Sequence, residues 1–263
     1  MLEPFRNEPL SDFDHPARAA AYREALAQVR RRLGRHWPLS IGGRTVDPEQ
    51  KIVSLNPALP AEVVGMVASA TAPQADQALD AAWRAFPAWA GLRPEARVAA
   101  VLQLAAELRR HKYELAAWET LEAAKNWLEA EADVCEAIDF CEYYARMAMG
   151  LYEPERLGLF IGEWNHQWYQ ARGVTSVISP WNFPLAICCG MTTAALAVGN
   201  TAVVKPSTQT RGVARAMCEI LWKAGVPADV LQFVPGSGST VGDILVRDQR
   251  VAMIAFTGSK EVG

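Results

Sequence analysis

The stretch "VTSVISPWNFP", residues 174–184, joins a run of β-branched and small residues to a turn held between two prolines. Val174 to Ser179 reads as a strand, and Pro180 and Pro184 then fix the backbone around Trp181, Asn182 and Phe183. Further on, "TAVVKPS" (201–207), "VLQFVPG" (230–236) and "VAMIAFTGS" (251–259) are also strand-like, and helical stretches such as "RGVARAMCEILWKAG" (211–225) lie between them. Strand and helix in alternation predict parallel strands with right-handed crossovers, an α/β fold whose ligands bind at the carboxyl ends of the strands. Asn182 stands at such an end and offers one carboxamide, able to stabilise an oxyanion or simply to hydrogen-bond its own turn.

The other strand ends hold further candidates. Lys205 closes the second strand, where an ammonium can donate to a ribose or a phosphate. The third strand runs into "PGSGSTVGD" (235–243), where Gly236, Gly238 and Gly242 let backbone approach a ligand, and the fourth into "FTGSKEVG" (256–263), where Ser259 is expected at a helix N-terminus. Neither glycine cluster is a Walker A loop or a Gly-x-Gly-x-x-Gly fingerprint. Cys188 and Cys189 follow the proline-bracketed turn as an adjacent pair, either a reactive centre or small apolar filling on a helix.

Upstream, "ARAAAYREALAQVRRRLGRH" (17–36) has the spacing of an amphipathic helix with a solvated face. "PLSIGGRTV" (38–46) and "KIVSLNPALPAEVVGMVASA" (51–70) read as short antiparallel strands. Thr71 can cap a helix from Gln74 to Trp89, Pro94 can start another that runs to Asn126, and residues 127–149 form a third. On that last helix Cys135, Ile138 and Cys141 share a face, which makes those cysteines core filling. Residues 150–172 read as an aromatic-rich hairpin. The expected organisation is residues 1–149 as strands and long helices, 150–172 as the hairpin and 173–263 as βα units.

Composition narrows the function. With 51% hydrophobic residues in 263, the chain buries a sizeable core, and 26 basic against 29 acidic residues, interspersed, show no face for nucleic acid. Its apolar runs are too short to span a bilayer and the N-terminus has no signal-peptide pattern, so a cytoplasmic protein is expected. Five cysteines without metal-ligand spacing imply reduced thiols and no metal site.

Four segments in fixed order, "SPWNFPL" (179–185), "AALAVGNTAVVKPS" (194–207), "AGVPADVLQFVPGSGSTVGD" (224–243) and "IAFTGSKEVG" (254–263), together resemble the aldehyde dehydrogenase superfamily. "VSLNPALPAEVVG" (53–65) is similar to that family's early strands. "EAIDFCEYYAR" (136–146) and "EPFRNEP" (3–9) resemble the branch acting on L-glutamate γ-semialdehyde, which includes stand-alone enzymes and the carboxyl-terminal domains of bifunctional proline-utilisation proteins. The resemblance implies a Rossmann-type parallel sheet with a helical N-terminal part. It makes Asn182 the oxyanion-hole side chain, Phe183 a wall of the aldehyde tunnel and Glu136 a contact for the amino-acid end of the substrate, although a helix salt bridge explains Glu136 equally well. It places Ser179, Pro180, Trp181, Lys205, Ser207, Thr208, Gly238, Gly258 and Ser259 around a dinucleotide, with Lys205 on the adenosine ribose.

Two departures stand out. Where many NAD-preferring relatives have a glutamate three residues after the lysine, this chain has Thr208, so tolerance of NADP as well as NAD is expected. The family's general-base and nucleophilic cysteine segments fall beyond Gly263, so the chain reads as a truncated, amino-terminal piece, inactive alone and a homo-oligomer at full length. The resemblance thus implies a small aldehyde as substrate and turns Cys188 and Cys189 into packing residues. The alternatives are another aldehyde dehydrogenase branch and a non-catalytic nucleotide-binding or interaction module.

Overall fold

A computed structural model describes residues 2–263. Its centre is a six-stranded sheet in the order β11-β8-β9-β10-β2-β3. The strands β8 (Val174–Ile178), β9 (Thr201–Lys205), β10 (Leu231–Phe233) and β11 (Val251–Phe256) are mutually parallel. The hairpin β2 (Leu39–Ile41) and β3 (Arg44–Val46) adds two antiparallel strands beside β10. β8 lies between its successors β9 and β11, so the chain crosses back over β8 on its way from β10 to β11. Such a switch point, at the carboxyl end of β8, is where doubly wound sheets form their ligand crevice.

Both faces of the sheet are covered. Along β9 the side chains alternate: Ala202 and Val204 join one apolar cluster and Val203 joins the other. The larger cluster packs α1 (Pro16–Arg30), α3 (Pro94–Arg110), α4 (Lys112–Ala123), α5 (Trp127–Leu151), α6 (Ala186–Ala197) and α7 (Arg211–Lys223). The smaller one packs α2 (Ala72–Ala90) and the short α8 (Asp243–Arg247). α6 must stop to feed β9, and Gly199 at φ +84° supplies the left-handed cap. Asn200 Oδ1 then accepts the amides of Arg172 at 2.7 Å and Gly173 at 3.0 Å, fixing the start of β8.

Several local expectations change. The first helix, expected to reach His36, ends at Arg30, and Arg35–Trp37 instead forms β1, whose pairing with β5 (Leu59–Ala68) is parallel where β5 is expected to pair only in antiparallel fashion. β4 (Lys51–Asn56) does pair with β5 in antiparallel fashion. Gly65 permits the closeness of β1: a methyl there would lie 2.0 Å from the Trp37 ring. The long helix expected from Pro94 to Asn126 breaks at His111 and ends at Ala123, because Ala124 turns left-handed at φ 55° and Asn126 instead caps α5, accepting from Glu129 N at 3.0 Å. The cap of α2 is as expected, with Gln74 Oε1 accepting from Thr71 N at 2.9 Å. α5 continues two residues past 149, and the following hairpin pairs β6 (Glu155–Arg156) with β7 (His166–Gln167). Among the described residues no helix is long and apolar enough to cross a membrane.

Candidate active site

Four strand ends converge on the crevice. Thr257 N donates to Ile178 O at 3.1 Å and Ser179 N to Lys205 O at 3.3 Å, tying the exits of β11, β8 and β9 together. From there the chain turns through Pro180–Pro184. Thr210 Oγ1 donates to Trp181 O at 3.3 Å, so the loop after β9 braces the turn from one side. Trp181, Asn182 and Phe183 are exposed at its tip. Among the described residues no protein group bonds the Asn182 carboxamide, so the turn leaves its NH2 free for an external oxygen.

Lys205 is 7% exposed, and no acceptor among the described residues meets its ammonium. Burial, with Arg211 adding like charge, pulls it below the usual lysine range. Arg211 is 1% exposed with Nε and Nη1 unbonded, and burial pulls its guanidinium down to about 10 while Glu122 opposes the shift. Glu122 cannot serve either cation well, because its oxygens already accept Gly212 N at 2.9 Å, Val213 N at 3.0 Å and Ser54 Oγ at 2.8 Å. That carboxylate caps α7, so the free positive charge of this corner lies on Lys205 and Arg211. Buried cations without acceptors are costly and fit a site completed by a polar or anionic ligand.

The loop after β10 shapes the next wall. Ser237 Oγ caps a single π-helical turn, Gly238–Gly242, by accepting Thr240 N at 3.1 Å. A methyl at Gly236 would lie 2.4 Å from Val241 Cγ2, so that glycine is required by packing. A methyl at Gly238 would meet nothing within 4 Å and would project into open space. A methyl at Gly242 would lie 3.7 Å from Lys205 Cε, which places the lysine chain alongside the π turn. Ser207 and Thr208 turn to Gln209 Oε1, the hydroxyl of Thr208 at 3.4 Å. Gly258 and Ser259 are exposed; Ser259 O accepts Val262 N at 3.2 Å and Gly263 N at 3.1 Å, a single turn where a helix N-terminus was expected. Ser179 Oγ is buried without a partner. An orphaned ammonium, an orphaned hydroxyl and an open glycine cradle together suit a hydroxyl-rich, phosphate-bearing ligand.

Glu136, on α5 three residues after Asp133, is half-buried and makes no ion pair among the described residues. Burial first, then Asp133, raises its carboxyl above the usual range. Lys125, Glu119 and Asp133, unmarked in the sequence reading, lie beneath Phe183: the Lys125 ammonium is 4.7 Å from the ring centroid. No local pattern marks them, because the contact spans about sixty residues. The five cysteines are all free and buried. Burial raises the Cys188 thiol to about 12, and Cys189, 3.5 Å from Cys141 Sγ, is also raised, first by that contact. Thiols so protonated are packing groups.

A family model described as "Aldehyde dehydrogenase family" matches residues 45–263. The chain belongs to the aldehyde dehydrogenase family. Among family members, 1-pyrroline-5-carboxylate dehydrogenase of Geobacillus kaustophilus is 48% identical over all 263 residues. The chain spans about half the length of the curated relatives it matches, 51% in that case. A solved Thermus 1-pyrroline-5-carboxylate dehydrogenase with bound NAD superposes at TM-score 0.96 and 47% identity, over 99% of this chain and 51% of that one. Proline utilization A of Bdellovibrio bacteriovorus gives TM-score 0.97 at 42% identity, over 98% of this chain and 27% of its own. The aldehyde dehydrogenase fold therefore holds across the whole described chain.

Proposed function

We propose that the full-length protein oxidises L-glutamate γ-semialdehyde to glutamate with NAD or NADP, and that residues 1–263 supply the oxyanion donor and the adenosine end of the cofactor site. The observation that supports this most directly is the free carboxamide of Asn182, presented on a proline-clamped turn at the crevice between β8 and β11. Relatives 45–48% identical over the whole chain bear the name of that activity.

The chemistry follows from the residues. Asn182 Nδ2 donates to the aldehyde oxygen as negative charge grows there, a contribution of about 3 kcal/mol when the donor is preorganised. Phe183 walls the aldehyde's path, and Glu136 faces its amino-acid end. Lys205 donates to the adenosine ribose, Ser207 and Thr208 lie beside it, and Gly238 leaves room for the diphosphate. Ser179, Pro180 and Trp181 border the inner end of the dinucleotide, and Gly258 and Ser259 the outer wall. When bound, the nicotinamide supplies a hydride acceptor. Because every thiol in residues 1–263 is buried, we assign the nucleophile to another part of the protein. The hairpin exposes Leu159, Phe160, Ile161 and Trp164, each at least 71% accessible, and we assign that apolar surface to contact between copies in a homo-oligomer. Five unpaired cysteines suit the cytoplasm.

The test is steady-state oxidation of the pyrroline, beside a panel of other aldehydes, by the full-length protein and its Asn182→Ala variant. Expected is preference for the pyrroline and a 10²–10³-fold lower kcat in the variant at unchanged cofactor affinity. The 1–263 polypeptide alone should turn over nothing. Preference for another aldehyde, or an undiminished kcat in Asn182→Ala, would overturn the reading.

A further inference from the structure

The turn that carries Asn182 has a second anchor, on helices far away in sequence. α4 ends in a left-handed residue and α5 is capped by Asn126, so Lys125 is pinned in the short connection between two helices. Its side chain is only 11% exposed. The ammonium pairs with Asp133 and lies 3.1 Å from Glu119 Oε2, and its third neighbour is the face of Phe183. Asp133 has a second duty: its Oδ1 accepts Ala186 N, the first residue of α6, at 2.6 Å. One buried carboxylate thus holds both the helix that follows the turn and the ammonium beneath the turn.

Charge explains why the cluster is firm. Glu119 is fully buried, no well-aligned hydrogen bond reaches either oxygen, and burial, followed by the nearby Asp133 charge, drives its carboxyl well above the usual range. Its carboxyl therefore holds a proton more readily than an ordinary one, and the closest ion pair of the cluster is Lys125 with Asp133. An ammonium so placed has few alternative positions, since solvent offers it no other acceptor. The ring above it gains a preferred seat from the cation beneath.

We propose that Lys125 is a positioning residue, which with Asp133 seats the Phe183 ring and the start of α6 so that Asn182 is presented from a turn anchored at both ends. The upstream anchor is the Ser179 N to Lys205 O bond, and Lys125 and Asp133 form the downstream one. This rests on the reading of Phe183 as a wall of the aldehyde path. It assigns Lys125 an effect on aldehyde affinity and turnover and none on the cofactor.

The test is a kinetic cycle in the full-length protein with Lys125→Met, Phe183→Ala and the double variant, together with amide hydrogen exchange. Lys125→Met should raise the aldehyde KM at least tenfold and leave the cofactor Kd within twofold, and Lys125→Arg should restore most of the loss. In the Phe183→Ala background the same change should cost less than twofold, because the ring through which it acts is gone. Exchange across residues 181–189 should quicken at least tenfold in Lys125→Met, with β8 and β9 unchanged. If Asp133, left unpaired, prevents folding, Lys125→Met with Asp133→Asn removes both charges and keeps an acceptor for Ala186 N. Additive losses in the cycle, or unchanged exchange over 181–189, overturn the proposal. A native protein that oxidises no L-glutamate γ-semialdehyde overturns the functional reading instead, and the exchange measurement still judges Lys125.

Discussion

Gly236 and Gly238 stand two residues apart in the same loop, and the structure gives alanine at each a different consequence. Neither has a positive φ, so backbone strain plays no part. At Gly236 the added methyl would lie 2.4 Å from Val241 Cγ2 and 3.2 Å from Ala70 O, with a stiff β-branched side chain on one side and backbone on the other. Overpacking of this kind costs about 1–3 kcal/mol, and the double constraint puts Gly236→Ala in the upper half of that range. With a urea slope of about 2 kcal/mol/M, the midpoint of the unfolding step that includes this domain should fall by roughly 1 M. At Gly238 the methyl meets no protein atom within 4 Å, so Gly238→Ala should change stability by no more than about 0.5 kcal/mol. If the dinucleotide approaches the loop there, the same methyl enters its space and weakens NAD binding at least tenfold, about 1.4 kcal/mol. Urea titration and fluorescence titration with NADH on the full-length protein measure both quantities. The reasoning fails if Gly238→Ala binds NADH like the native protein, or if Gly236→Ala unfolds at the native midpoint.

Thr208→Glu places a carboxylate on the exposed loop beside Lys205, and should lower kcat/KM for NADP at least tenfold relative to NAD by repelling the 2′-phosphate; an unchanged ratio would show that the ribose lies elsewhere. Glu119→Gln tests the raised carboxyl of Glu119. Its carboxyl is raised well above 4.5, so above that pH the folded state keeps a proton that the unfolded chain releases, and the stability from Glu119 falls as pH rises. Gln has no such loss, so the stability difference, native minus Glu119→Gln, should decline between pH 5 and 8 in urea titrations; a difference independent of pH would mean that Glu119 is ionised when folded.

The parallel βα units were legible because each rests on local signals: β-branched strands, a proline or glycine at each strand end, and helices of regular apolar spacing. The break at His111 carries no such signal, since "RRHKYE" lacks both glycine and proline, and it shows only in the backbone, where His111 leaves the helical region. β1 was hidden for another reason. Its three residues continue the polar spacing of α1, and only the match between Trp37 and the bare backbone of Gly65 draws them into a parallel pair with β5. The candidate site divides the same way. Asn182 and Lys205 occupy strand ends, where position in the chain already implies position in the crevice. Lys125, Asp133 and Glu119 reach the same turn only through tertiary packing.

Cys188 and Cys189 show how proximity in sequence misleads at such a site. They begin five residues after Phe183, yet the helix that carries them turns inward onto α5, where Cys189 Sγ meets Cys141 Sγ and Ala137 O. Asn182 is turned outward, because two prolines restrict the backbone on either side and the bonds that hold the turn go to main-chain atoms of Ser179, Trp181 and Ala186. With the backbone held by these bonds and the Phe183 ring seated on Lys125, the Asn182 side chain is left free. That division of labour makes an exposed carboxamide available to a substrate oxygen, and it places the cost of holding the turn on distant buried charges instead of on Asn182 itself.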